Sequence, residues 1–169
     1  MKQDRNPESW FTTMFDLYKL PSDFPGYADC RPITDPRKRV ECLEEKFRLD
    51  VEGRFGDDPI HQRIVPYIQL HEFEALLFSD PAKFLDVFPA AHSEVKQLRA
   101  VAAQYESPED IDDGETTAPS KRILSLLPNY VKPVSGILIA RGIGLSGLRS
   151  ECPHFRHWFE RLSQLDSIV

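Results

Sequence analysis

The chain has 169 residues, of which 41% are hydrophobic and 28% charged. A chain of this size can bury about 70% of the surface it exposes when unfolded, so it can build a core without staples, and the composition excludes disordered, collagen-like and disulfide-scaffold proteins. The net charge of −6 excludes coating of a polyanion through bulk charge, but it is unevenly divided: residues 1–115 carry 14 Lys and Arg against 24 Asp and Glu, and residues 116–169 carry 7 against 3. The basic C-terminal third, 116–169, could grip an anion locally, and the acidic part either holds divalent cations or forms a solvated surface. Cys30, Cys42 and Cys152 are odd in number and widely spaced, with no CxxC pair, which predicts reduced thiols. The first residues lack the apolar core of a signal peptide, and no apolar run approaches the ~20 residues of a membrane span. The expectation is a soluble cytoplasmic protein that does not engage a membrane.

In chain order, Phe11 to Phe15 reads as a short buried strand ending at Asp16. Leu20 to Gly26 is irregular, because two prolines and a glycine forbid regular structure. Asp35 and Pro36 read as N-cap and first helical residue, and Val40, Leu43, Phe47 and Val51 follow on one face of a helix ending near Gly53 or Gly56. Arg63 to Leu70 is a second strand in which Pro66 marks an edge, a bulge or a start. His71 to Phe78 is a helix launched from it. Asp80-Pro81 caps a short helix carrying Phe84, Leu85 and Phe88, and Ser93 a helix burying Val95, Leu98 and Val101. Residues 107–120 form a polar loop, and Lys121 to Leu127 a short helix. Ile137 to Ala140 is a buried apolar segment of either type, and Pro153 opens a last helix burying Phe155 and Trp158. The sum is a helix-rich α/β or α+β chain, a single domain over 1–169 with few strands.

Three constellations could carry chemistry. Asp16 stands at a strand end, where open α/β sheets place ligands, and can serve as a Mg²⁺ ligand or as a turn cap. His71-Glu72-Phe73-Glu74 lies at the next strand end. If extended, it puts both glutamates on one face for a shared metal; if helical, the two diverge, and acids there also suit a helix N-terminus. In Glu115 to Arg122, a helix start at Thr117 or Ser120 with Lys121 and Arg122 in its first turn would make an anion site. Three further patterns carry less. The GxGxxG match at Gly142 to Gly147 lacks the flanking strands of a dinucleotide site, and its glycines suit close packing and helix breaks. Cys152, His154 and His157 lack a fourth zinc ligand. Glu52 lies at the tail of an amphipathic helix.

Taken together, four blocks of sequence resemble one family. They are Thr12 to Tyr18 with Leu20-Pro21 and Asp23 to Gly26; Tyr67 to Leu70 running into His71 to Phe78; Ala118 to Ile123 followed by Tyr130 and Lys132; and Ile143 to Leu145 with Arg149, Cys152 to Phe155 and Trp158. This pattern is similar to the bacterial domain-of-unknown-function family 4276, regarded as Toprim-like. The resemblance implies a Rossmann-like Toprim core and Mg²⁺- or Mn²⁺-dependent cleavage of DNA or RNA, in anti-phage loci often beside an ATPase gene. It makes Asp16, Glu72 and Glu74 the metal carboxylates, and Glu72, Lys121 and Arg122 the catalytic groups. It also predicts that the chain begins after the family's usual first strand and helix, with their Val-Glu-Gly motif. The sheet edge left open would then serve oligomer formation or docking on an ATPase, and the alternative function is a non-catalytic partner subunit.

Overall fold

The computed structural model describes residues 9–56, 62–111, 114 and 116–165. They form a mixed α/β fold in which helices dominate and the strands are short and parallel. The chain divides into two compact units, one made of residues 1–69 with 161–169 and the other of residues 70–160. Among the described residues, no helix is long and apolar enough to cross a membrane.

The first unit is built on two pairs of strands. β1 (Phe11–Thr12) pairs with β3 (Ile64–Val65), and β2 (Phe15–Asp16) with β4 (Ile68–Gln69), all in one parallel register. The ladder is interrupted opposite Pro66, which has no N–H to offer. Threonine side chains bridge the gap: Thr13 Oγ1 accepts from the Tyr67 N–H at 2.9 Å, and Thr12 Oγ1 donates to the Val65 carbonyl at 2.6 Å. On the far side of β4, the Ile68 N–H is taken by Glu44 Oε1 at 2.8 Å. That bond covers the edge at this position with a helix side chain instead of leaving a free donor.

Two helices follow β2. α1 (Tyr27–Cys30) is a single turn. α2 (Pro36–Phe55) starts as expected, with Pro36 at its first position and the Asp35 carboxylate accepting from the Arg37 and Lys38 N–H groups. It buries Val40, Leu43 and Val51. Phe47 is only half-buried and stacks on Phe24 at 5.5 Å, with Phe15 edge-on to both rings. Glu52 is half-exposed and pairs with Arg48 at 3.4 Å. The expectation of reduced thiols is corrected here: Cys30 and Cys42 form a disulfide, with Cα atoms 5.9 Å apart. The chain turns back between α1 and α2 and brings the two cysteines face to face, which a spacing of twelve residues does not announce.

The second unit packs around Leu77, Phe78, Phe84, Leu98, Ile111, Ile123 and Ile139. The segment after β4 is a 3₁₀ turn, Phe73–Ser79, rather than the expected α-helix. Ala75 to Phe78 are buried in unbroken succession, so it has no solvent face for an amphipathic helix to present. A second 3₁₀ segment, Pro81–Asp86, is capped by Asp80. α3 (His92–Ala102) begins one residue before Ser93, which therefore does not cap it. α4 (Pro119–Leu126), a π turn at Lys132–Gly136, α5 (Ile137–Glu151) and α6 (Pro153–Leu165) follow, and α6 belongs in part to each unit. The ambiguous segment from Ile137 to Ala140 is thus helical. The GxGxxG run lies within α5, where Gly144 (φ 72°) breaks the helix.

The polar loop before α4 is not simply a solvated connection. Glu109 is 1% exposed. Its carboxylate accepts from the backbone N–H groups of His154 at 2.8 Å and Phe155 at 3.0 Å. It fills the positive N-terminal end of α6, and Ser107 Oγ donates to the Glu151 carbonyl at 2.9 Å beside it.

Candidate functional site

The chemistry of the second unit concentrates where the chain leaves β4. His71 is buried and adopts φ 61°, a left-handed conformation that costs a non-glycine residue energy. Glu72 is extended (φ −137°, ψ 156°), and Glu74 lies one residue into the following 3₁₀ turn. The segment therefore combines the two conformations open from the sequence, and both carboxylates face one place. Each glutamate is only 3% exposed.

Buried carboxylates need partners, because the charged form loses its hydration. Glu72 is held by α4: its Oε2 accepts from the Ser120 N–H and its Oε1 from the Ser120 hydroxyl, both at 3.0 Å. Glu74 Oε2 accepts from Lys132 Nζ at 3.2 Å, and its Oε1 from the Tyr130 hydroxyl at 3.4 Å. Lys132 Nζ also stands 3.7 Å from Glu72 Oε1, so one ammonium bridges the pair. The lysine side chain is 46% exposed, whereas the two carboxylates are not. Burial raises the Glu74 carboxyl above its ordinary range, with Lys132 pulling the other way and Glu72 adding to the rise. Burial, and then the neighbouring Glu74, push the Tyr130 hydroxyl well up, so it stays a protonated donor.

The loop carrying Tyr130 and Lys132 is fixed locally. Ser135 Oγ accepts from the Val131 N–H at 3.2 Å, closing the turn. Gly136 leaves room for the tyrosine: a Cβ there would stand 2.7 Å from the Tyr130 hydroxyl oxygen.

At the start of α4, Ser120 holds an internal anion, the Glu72 carboxylate, whereas the expectation there was an anion site that also used Lys121 and Arg122. The Ser120 N–H and hydroxyl go to Glu72. Arg122 is engaged within its own region, donating from Nε to the Thr117 carbonyl at 2.5 Å and from Nη2 to the Tyr105 hydroxyl at 3.3 Å. Lys121 is exposed on α4, and Glu115 lies outside the described residues. Asp16 belongs to the first unit, at the end of the ladder opposite Gln69. It precedes the 3₁₀ turn Leu17–Lys19 without capping it through its side chain. The structure thus brings together Glu72, Glu74 and Ser120 from the sequence expectations, and adds Tyr130 and Lys132. Those two stood in the third block of the family resemblance without an assigned role; folding against HEFE is what gives them one.

Two carboxylate oxygens, one from each glutamate, converge on a single cationic atom, a donor set of the kind and number that suits Mg²⁺, which takes one or two carboxylates and keeps water or phosphate for the rest. Among the described residues, no group of three or more His, Cys, Asp or Glu side chains could hold a metal ion. A metal here would therefore rest on this pair and on oxygens from outside the group.

These features define a mixed α/β protein in which two buried glutamates following a strand share one half-exposed lysine. Its sequence matches the family described as Domain of unknown function (DUF4276) over residues 1–163, and the chain belongs to that family. No curated protein and no solved structure matches it.

Proposed function

We propose that this chain is a Toprim-type nuclease, or a nuclease-like subunit, of a bacterial anti-phage defence locus, working on DNA or RNA in the cytoplasm with Glu72 and Glu74 as the carboxylates for Mg²⁺ or Mn²⁺. The observation that supports this is the convergence of two almost wholly buried carboxylates on one half-exposed ammonium, beside a strained residue at the end of a parallel strand. A bound divalent ion would supply Lewis-acid activation of a phosphoryl oxygen. The chain's own residues do the rest. Ser120 fixes the orientation of Glu72 through two hydrogen bonds. Tyr130, held protonated, donates to Glu74 and keeps its second oxygen turned towards Lys132. Lys121 is the exposed cation of α4 left to meet a phosphate.

Incubation with DNA and RNA in Mg²⁺ or Mn²⁺ tests the proposal. Cleavage is expected, with a loss of at least about a hundredfold in the Glu72→Ala, Glu74→Ala double variant. Cleavage that survives the double substitution overturns it. Asp16→Ala, assayed in parallel, reads whether the strand-end aspartate contributes.

One observation favours a second reading, a non-catalytic subunit that docks on an ATPase. Val131, Val134, Ile137, Leu138 and Leu145 are each about half exposed or more and cluster along one stretch of the second unit. Exposed apolar surface of this kind suits assembly. Co-purification with an ATPase, without cleavage by either protein alone, would favour this reading over the first.

A further inference from the structure

Lys132 differs from every other cation of the basic third in what it touches. It is the one the structure seats on both buried carboxylates, at 3.2 Å from Glu74 Oε2 and 3.7 Å from Glu72 Oε1. Its stem is flexible and its side chain 46% exposed, so the ammonium can leave the pair for solvent without disturbing the core. Ser120 holds both oxygens of Glu72, and Tyr130 the Glu74 oxygen turned away from the lysine, so the glutamates keep their places when the lysine moves. Arg122, by contrast, is held by Thr117 and Tyr105.

From this geometry we infer that Lys132 is the resident cation of the site: it neutralises Glu72 and Glu74 while no divalent ion is present, and swings from them to the phosphate of the bound nucleic acid when one is. The inference rests on the function proposed above and deepens it. One ammonium cannot share the space between the same two oxygens with a divalent ion, because like charges that close repel. Ion entry is therefore linked to lysine release, and a phosphate that accepts the released ammonium favours ion entry in turn. The resting protein so avoids an uncompensated buried pair of negative charges. Lys132 thereby joins Lys121 as a phosphate-facing cation, while Arg122, to which the resemblance assigned the same role, stays held by Thr117 and Tyr105.

The test uses the full chain and Mn²⁺ alone, followed by calorimetric titration and by melting temperature. Lys132→Met removes the competitor, so it binds Mn²⁺ about tenfold more tightly than the wild type, melts lower without metal and gains more in melting temperature when Mn²⁺ is added. Lys132→Arg, which keeps the charge, binds Mn²⁺ like the wild type. Nucleic-acid cleavage in Mn²⁺ falls at least about a hundredfold in Lys132→Met, and Lys132→Gln replaces it in every arm if the methionine variant does not fold. Equal Mn²⁺ affinity in wild type and Lys132→Met, or undiminished cleavage by the variant, overturns the inference while leaving the carboxylate site intact. Absence of Mn²⁺ binding by all three proteins overturns the site itself, and the inference with it.

Discussion

Two regions of the second unit each bury glutamate, and they solve the same problem differently. At the start of α6, Glu109 gives both carboxylate oxygens to backbone N–H groups, which have no freedom to leave. After β4, Glu72 and Glu74 share a partner on a flexible stem that is nearly half exposed. The first arrangement is a helix cap, fixed on both sides. The second pairs buried carboxylates with a half-exposed cation, the one proposed above to give way to a divalent ion. Burial of a charge therefore says little about function by itself; the exposure of what neutralises it is the difference on which the proposed binding role of Glu72 and Glu74 rests.

The largest effect that would sharpen this contrast is on stability at Glu109. Glu109→Ala strips two charge-assisted hydrogen bonds from the end of α6 and costs about 3 kcal/mol or more. Denaturant unfolding measures it, and added Mn²⁺ restores none of the loss. A loss under about 1 kcal/mol, or rescue by Mn²⁺, would erase the distinction between the two regions.

Gly136→Ala comes next. The added Cβ would stand 2.7 Å from the Tyr130 hydroxyl and push the ring from Glu74. The expected cost is about 1–3 kcal/mol of stability, together with a lower Mn²⁺ affinity. Unchanged affinity would show that Tyr130 does not help to position the carboxylate.

A smaller effect concerns pH. Burial raises Glu74 above its ordinary value, so between that ordinary value and the raised one the folded protein binds more protons than the unfolded chain. The sign follows: the Glu74 contribution to stability falls as pH rises through that window and levels off above it. Glu74→Gln removes this dependence, as unfolding at a series of pH values from 4 to 8 would show. An unchanged slope in the variant would place the dependence elsewhere. The smallest effect is expected at Lys121, whose substitution by alanine changes stability by no more than about 0.5 kcal/mol, since it is exposed.

Local signals in the sequence carried well where one residue type has one physical use. Asp35-Pro36 marked the start of α2, and Val40, Leu43 and Val51 its buried face. Pro66 marked the interruption of the ladder, though not the threonine hydroxyls that span it. Glu72 and Glu74 stood out as a pair at a strand end, but their conformation was open, because a single change from extended to helical backbone decides whether they converge. The partners were hidden for a different reason. Lys132 and Ser120 reach the glutamates across 58 to 60 and 48 residues of chain, and no periodicity links positions so far apart. The same distance effect hid Glu109, which looked like one acid among many in a polar loop; the Cys30–Cys42 disulfide spans only twelve residues and was hidden because nothing in the spacing marks the turn that brings its cysteines together. Ser120 shows a subtler limit. The sequence marked a helix start able to bind an anion, and only the fold shows that the anion is Glu72.

The most direct measurement is a crystal structure of the protein grown with Mn²⁺, with the anomalous signal of manganese mapped. The account predicts a peak between Glu72 Oε1 and Glu74 Oε2, with the Lys132 ammonium turned away from both. A structure in saturating Mn²⁺ with no peak there, and Lys132 still bridging the two carboxylates, would contradict it.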